Sequence, residues 1–102
     1  MNIVLNEIVK RIVDEIKPEK IILFGSRAAN NNDESGDYDI CVLKKNVRHK
    51  RKIAQKIYSL LFGIGAPVDV IVETPEKFNM LKDKWFLVYR EIDKTGIVVY
   101  EK

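Results

Sequence analysis

Hydrophobic spacing switches from a helical to an extended period within the first 24 residues, and that switch constrains the fold more than any other feature. Leu5, Ile8, Val9, Ile12, Val13 and Ile16 follow the i, i+3, i+4, i+7, i+8, i+11 pattern of one buried helix face. Pro18 stops the helix, because a residue before proline is pushed out of helical geometry. Ile21-Ile22-Leu23-Phe24 is then a short continuous apolar run ending at Gly25, the mark of a buried strand. Residues 25–36 are polar and rich in Asn, Ser and Gly, which predicts a loop with a helical turn near Arg27–Ala29.

The alternation then repeats. Residues 37–43 read as a strand, and about 47–62 as a second amphipathic helix with Ile53, Ile57, Leu60 and Leu61 on one face, ended by Gly63 and Gly65. Val68 to Val72 is a third strand. Thr74-Pro75 is a strong helix entry, with a capping hydroxyl followed by proline at the first helical position. Trp85, Val88, Tyr89 and Ile92 mark a further helix closed by Gly96, and Ile97 to Tyr100 a last short strand. The order predicts a small α/β domain.

Length and composition agree with one core. A 102-residue chain suits a single domain over residues 1–102 and should bury roughly 60–70% of the surface its unfolded form exposes. Its 46% hydrophobic share excludes a wholly disordered chain. With Cys41 the sole cysteine, an intrachain disulfide and a cysteine-built zinc cage are excluded, and a reducing, cytoplasmic setting is expected. No apolar run approaches the ~18–20 residues that span a bilayer, and the N-terminal stretch is interrupted by charges throughout, so neither export nor membrane association is expected.

Charge is uneven. Lys44, Lys45, Arg48, Lys50, Arg51 and Lys52 supply the whole excess of base over acid, the other residues carrying 12 basic against 15 acidic side chains. The stretch reads most simply as a solvated loop and helix start, or else as a docking face for an acidic partner or nucleic acid. It has no interleaved aromatics on which bases could stack, so direct nucleic-acid binding is not expected. His49, inside the run, is expected to face solvent, and Cys41 to be a buried, inert thiol.

The chemistry is concentrated in two short segments. Alternation along a strand puts Asp37 and Asp39 on one face, about 6.5–7 Å apart, with Tyr38 on the other. Two carboxylates converging on one point repel each other unless a cation lies between them, and a hard divalent ion such as Mg²⁺ prefers oxygen ligands. Ten residues separate Asp37 from Gly25-Ser26, where glycine lets backbone approach a ligand closely and N–H groups beside a hydroxyl can hold phosphate oxygens. Arg27 adds a bidentate donor. A third acid, Asp69, interrupts the otherwise apolar strand Val68–Val72, where it is costly unless paired or bound to metal. If its strand lies beside the first acid strand, Asp69 reaches the same point and can serve as a general base. Acids facing a phosphate cradle form a layout for phosphoryl or nucleotidyl transfer.

Gly25-Ser26, the ten-residue spacer, Asp37-x-Asp39 and the later Asp69 resemble the signature of the DNA polymerase beta-like nucleotidyltransferases, and the short length resembles their minimal (MNT) branch. The resemblance covers nearly the whole chain. It implies a short mixed sheet flanked by helices and transfer of a nucleoside monophosphate from a nucleoside triphosphate. By the same resemblance Asp37, Asp39 and Asp69 bind two Mg²⁺ ions and act in catalysis, while Gly25, Ser26 and Arg27 hold the triphosphate. The best-known MNT members are MntA-type antitoxins, which transfer AMP from ATP to a tyrosine of a partner HEPN toxin. The pattern departs at Ala29, where a second basic residue is usual, at Asn30, where a glycine is, and at Gly36, where serine is common. Two alternatives stand beside this reading: a non-catalytic antitoxin that neutralises its partner by complex formation, and a nucleotidyltransferase acting on a small molecule.

Overall fold

The computed structural model describes residues 2–29 and 36–102. Helix α1 (Ile3–Ile16) starts where the Asn2 side chain accepts the Leu5 N–H at 2.7 Å, and it buries Leu5, Ile8, Val9, Ile12 and Ile16 as the periodicity requires. It ends at Lys17, which adopts a left-handed conformation just before Pro18. Strand β1 (Lys20–Phe24) runs into the short helix α2 (Ser26–Ala29), the turn foreseen at that point. Asn30, one of the departures from the signature, lies outside the described residues with most of the spacer.

Strand β2 (Tyr38–Leu43) pairs antiparallel with β1, with Phe24 opposite Asp39. The chain crosses over through α3 (Lys50–Leu60) and returns as β3 (Val68–Glu73), parallel to β2. Helices α4 (Pro75–Leu81) and α5 (Val88–Thr95) follow, and β4 (Ile97–Glu101) adds to the far side of β1 with a register shift between Ile21 and Ile22. The sheet order is β3-β2-β1-β4, the small mixed α/β architecture expected.

Each face of the sheet carries its own core. Ile21, Leu23, Tyr38, Ile40 and Val42 pack with α1 and with Ile57 and Leu61 of the α3 region, whereas Ile22, Phe24, Cys41 and Leu43 pack with Phe78 of α4 and Ile92 of α5. Alternation along β2 therefore puts Asp39 on the α4–α5 side, in phase with Cys41 and Leu43. β3 is an edge strand, and the outward Val70 N–H donates to the Tyr58 hydroxyl at 2.9 Å.

Several boundaries differ from the sequence reading, among them the start of β2 at Tyr38 rather than residue 37, which leaves Asp37 just outside the strand. α3 starts at Lys50 rather than about residue 47, because Asn46 turns left-handed and His49 offers no side-chain cap. β3 runs one residue beyond Val72, since Glu73 pairs with Leu43 and is buried. Trp85 precedes α5 instead of joining it: the chain turns through Lys84–Leu87, leaving Trp85 and Phe86 78% and 66% exposed. The Thr74-Pro75 entry forms as expected, with the Thr74 hydroxyl accepting the Lys77 N–H. Among the described residues no helix is long and apolar enough to cross a membrane.

Candidate active site

Parallel pairing of β2 with β3 places Asp39 directly opposite Asp69. Residues in register on neighbouring parallel strands project to the same side, with backbones about 4.8 Å apart. Asp37, exposed, sits just before β2. Three acids from two segments are thus gathered at one end of the sheet. α5 brings a fourth, Glu91, close enough for its charge to act on Asp39.

The electrostatics single out Asp39. Burial raises its carboxyl above the usual carboxylate range, and the negative charges of Asp69, Asp37 and Glu91 raise it further. A side-chain hydrogen bond with Asp69 works in the same direction. Each of these influences favours the protonated form.

Gly25 holds the opposite wall. It sits at φ +76°, in the left-handed region, and a Cβ added there would land on Asp39 Oδ2. The glycine thus meets two demands at once, the turn out of β1 and room for the carboxylate. Its carbonyl accepts the Ala28 and Ala29 N–H groups, starting α2, and Ser26 is exposed at the head of that turn. Arg27 is anchored instead of extended. Its Nε donates to the Gly36 carbonyl at 2.7 Å and its guanidinium lies 3.9 Å over the Tyr38 ring. The Tyr38 hydroxyl in turn accepts from Asn2 Nδ2 at 3.0 Å, tying this corner to the start of α1.

The donor set suits a hard divalent cation: carboxylate oxygens only, in a negative field that such an ion would relieve. Among the described residues no three are drawn together tightly enough to form a finished metal cage.

Two acids escaped the sequence reading. Glu91 gave only a faint signal, its position between Val88 and Ile92 on the helix that covers this face. Glu73, 1% exposed, lies on β3 in phase with Asp69, but its carboxylate is fully engaged. Lys50 Nζ lies 3.1 and 3.3 Å from its two oxygens, the Tyr89 hydroxyl donates at 2.6 Å, and the Thr74 N–H donates at 3.0 Å. Burial pushes Glu73 up, but the three hydrogen bonds and the Lys50 charge outweigh it and hold the group below the usual range. The acid that ends an apolar strand was the available clue. Cys41, between the two acid sites, is buried, with its thiol pushed up to about 12 by burial and the Glu73 charge, and is inert as a nucleophile.

The nucleotidyltransferase domain family matches residues 5–93. No curated protein sequence gives a significant match. Among solved structures, a chain of a mutant MntA–HpeT toxin–antitoxin is similar at 24% identity and TM-score 0.65, over 100% of this chain and 74% of that one. A toxin–antitoxin structure with AMP-PNP is similar at 25% identity and TM-score 0.62, over 95% and 73%. A Sulfolobus solfataricus protein described as a nucleotidyltransferase is similar at 20% identity and TM-score 0.67, over 97% and 78%. With 89 of its 102 residues inside the family match and the acids meeting at one end of the sheet, this chain belongs to the nucleotidyltransferase domain family.

Proposed function

We propose that the chain is an antitoxin that transfers AMP from ATP to a hydroxyl, a tyrosine in the favoured case, of a partner HEPN toxin in a Mg²⁺-dependent reaction. The observation that carries this reading is the in-register pairing of Asp39 with Asp69 beneath Gly25, which leaves uncompensated negative charge beside a phosphate-sized turn. Its similarity to a toxin–antitoxin structure with AMP-PNP supports both the nucleotide and the kind of partner.

Asp37, Asp39 and Asp69 would hold the metal, which supplies charge neutralisation of the triphosphate and polarisation of its α-phosphorus. Gly25 and Ser26 receive the outer phosphates at the head of α2, and Arg27 brings a positive charge to the same turn. Asp69, the more exposed acid of the facing pair, takes the proton of the acceptor hydroxyl. The hydroxyl oxygen forms a bond to the α-phosphorus as the bond to the bridging oxygen breaks, and pyrophosphate leaves with that electron pair. A groove of about 620 Å³ lined by Trp85, Phe86, Val88, Arg90 and Glu91 shares Glu91 with the acid cluster. Its exposed aromatics and arginine are the residue types that anchor protein interfaces, which favours a protein acceptor over a small molecule.

The test is mass spectrometry of the co-expressed partner. The wild-type chain is expected to add the mass of one adenylyl group, and Asp39→Asn to leave the partner unmodified. A partner bound stably yet unmodified by the wild type would support neutralisation by complex formation and overturn the catalytic reading.

A further inference from the structure

The basic stretch remains unexplained by the acid site, and the fold gives it a definite place. β2 carries the chain from the acid end of the sheet to the opposite end, where Lys44 and Lys45 emerge, and α3 returns from there. Of the six cations, Lys50 is used internally by Glu73. The others, joined by Lys56, make no ion pair among the described residues, as is true also of Lys77, Lys82 and Lys84, but only here do so many lie together. From Ile40 to Val68 the sequence contains no acidic residue at all.

The exposed side of α3 presents Arg51, Lys52, Gln55, Lys56 and Ser59 at i, i+3, i+4 spacing, with the exposed Arg48 just before the helix. Between Lys44 and Ser59 the one exposed large hydrophobic among the described residues is Tyr58, whose hydroxyl is held by the Val70 N–H at the β3 edge. That composition is wrong for a protein docking face, whose centre is aromatic or aliphatic and depleted in lysine. It matches a phosphate backbone, which is bound by unneutralised Lys and Arg without apolar anchors. The missing aromatics, the ground on which the sequence argues against direct nucleic-acid binding, exclude base stacking on single strands alone and place no limit on a duplex. Of the two duplex forms, B-DNA has a major groove about 12 Å wide that receives a helix face, whereas A-form RNA has a deep, narrow one that does not.

We propose that the α3 stripe, with Lys44 and Lys45, binds the backbone of double-stranded DNA, at the end of the sheet away from the acid site. The proposal is independent of whether the acid site turns over.

Fluorescence anisotropy with a labelled 20-base-pair duplex tests it. Engagement of three or four phosphates gives a slope of about −3 to −4 for log affinity against log salt, so that affinity falls on the order of 100-fold between 50 and 200 mM salt. The quadruple variant Arg48→Gln/Arg51→Gln/Lys52→Gln/Lys56→Gln is expected to bind at least tenfold more weakly, with a shallower slope and an unchanged circular dichroism spectrum. A control that removes four cations elsewhere, Lys10→Gln/Lys77→Gln/Lys82→Gln/Lys84→Gln, should bind nearly as the wild type. Equal loss in both quadruple variants would reduce the effect to net charge and overturn the proposal. So would no measurable binding at 50 mM salt, or a stronger response to duplex RNA, poly-aspartate or phosphatidylserine vesicles than to the DNA.

Discussion

Asp39 and Glu73 lie on the same face of the same sheet, one at each end of the β2–β3 pair, yet their environments are opposite. Glu73 is almost wholly buried and fully answered by a lysine, a tyrosine hydroxyl and a backbone N–H. Asp39 is only half-buried and faces other acids. A buried carboxylate with every lone pair occupied rivets β3, α3, α4 and α5 together. One left facing like charge carries an unfavourable electrostatic interaction that protonation or a bound cation would relieve. What the surroundings supply, and not the residue type, separates the two carboxylates here.

The comparison breaks first at activity. Asp39→Asn is expected to fold and to lose adenylyl transfer by about 10³-fold, the several kcal/mol that metal-assisted charge stabilisation contributes, read from initial rates of partner labelling. Retained labelling would place the chemistry elsewhere.

The Glu73 end should fail through stability instead. Glu73→Ala removes the acceptor of three donors and leaves Lys50, Tyr89 and Thr74 without it, costing about 2–3 kcal/mol by urea denaturation. Because the folded Glu73 carboxyl is held low, its contribution is present above the ordinary carboxylate range near pH 4.3 and is lost as pH falls through the lowered value. The wild type should therefore lose more stability on acidification than Glu73→Gln does.

Gly25→Ala links a turn to the acid site. The substitution forces a side chain into a left-handed conformation and onto Asp39 Oδ2, so a loss of about 1–2 kcal/mol is expected together with weakened nucleotide binding in titration calorimetry. The smallest effect sharpens the contrast. Asp39→Asn relieves like-charge repulsion and should raise stability at neutral pH by about 0.2–1 kcal/mol. Since the folded Asp39 carboxyl is raised, its ionisation penalty exists above that raised value and vanishes on acidification, so the gain should shrink as pH falls.

Much of this was legible in the sequence because it rests on periodicity. The apolar spacing of α1, the Gly25 strand end and the Thr74-Pro75 cap each depend on local physics and appear in the structure where expected. The Asp-x-Asp spacing was visible in the sequence, although only Asp39 joins β2 and Asp37 sits just before it. What stayed hidden depends on contacts between distant segments. The parallel register that sets Asp69 against Asp39, the approach of Glu91 from α5 and the Lys50–Glu73–Tyr89 network join residues up to 52 positions apart. No window of sequence contains them. The aromatic placement of Trp85 was misread for the same reason: its spacing fits a helix that the turn at Lys84–Leu87 does not allow to begin.

Titration calorimetry of a non-hydrolysable ATP analogue, with and without Mg²⁺, probes the acid cluster most directly. We expect binding that requires Mg²⁺ and disappears in Asp39→Asn while Glu73→Gln retains it. Binding indifferent to Mg²⁺, or unchanged in Asp39→Asn, would contradict the assignment of the uncompensated acids to cation and nucleotide.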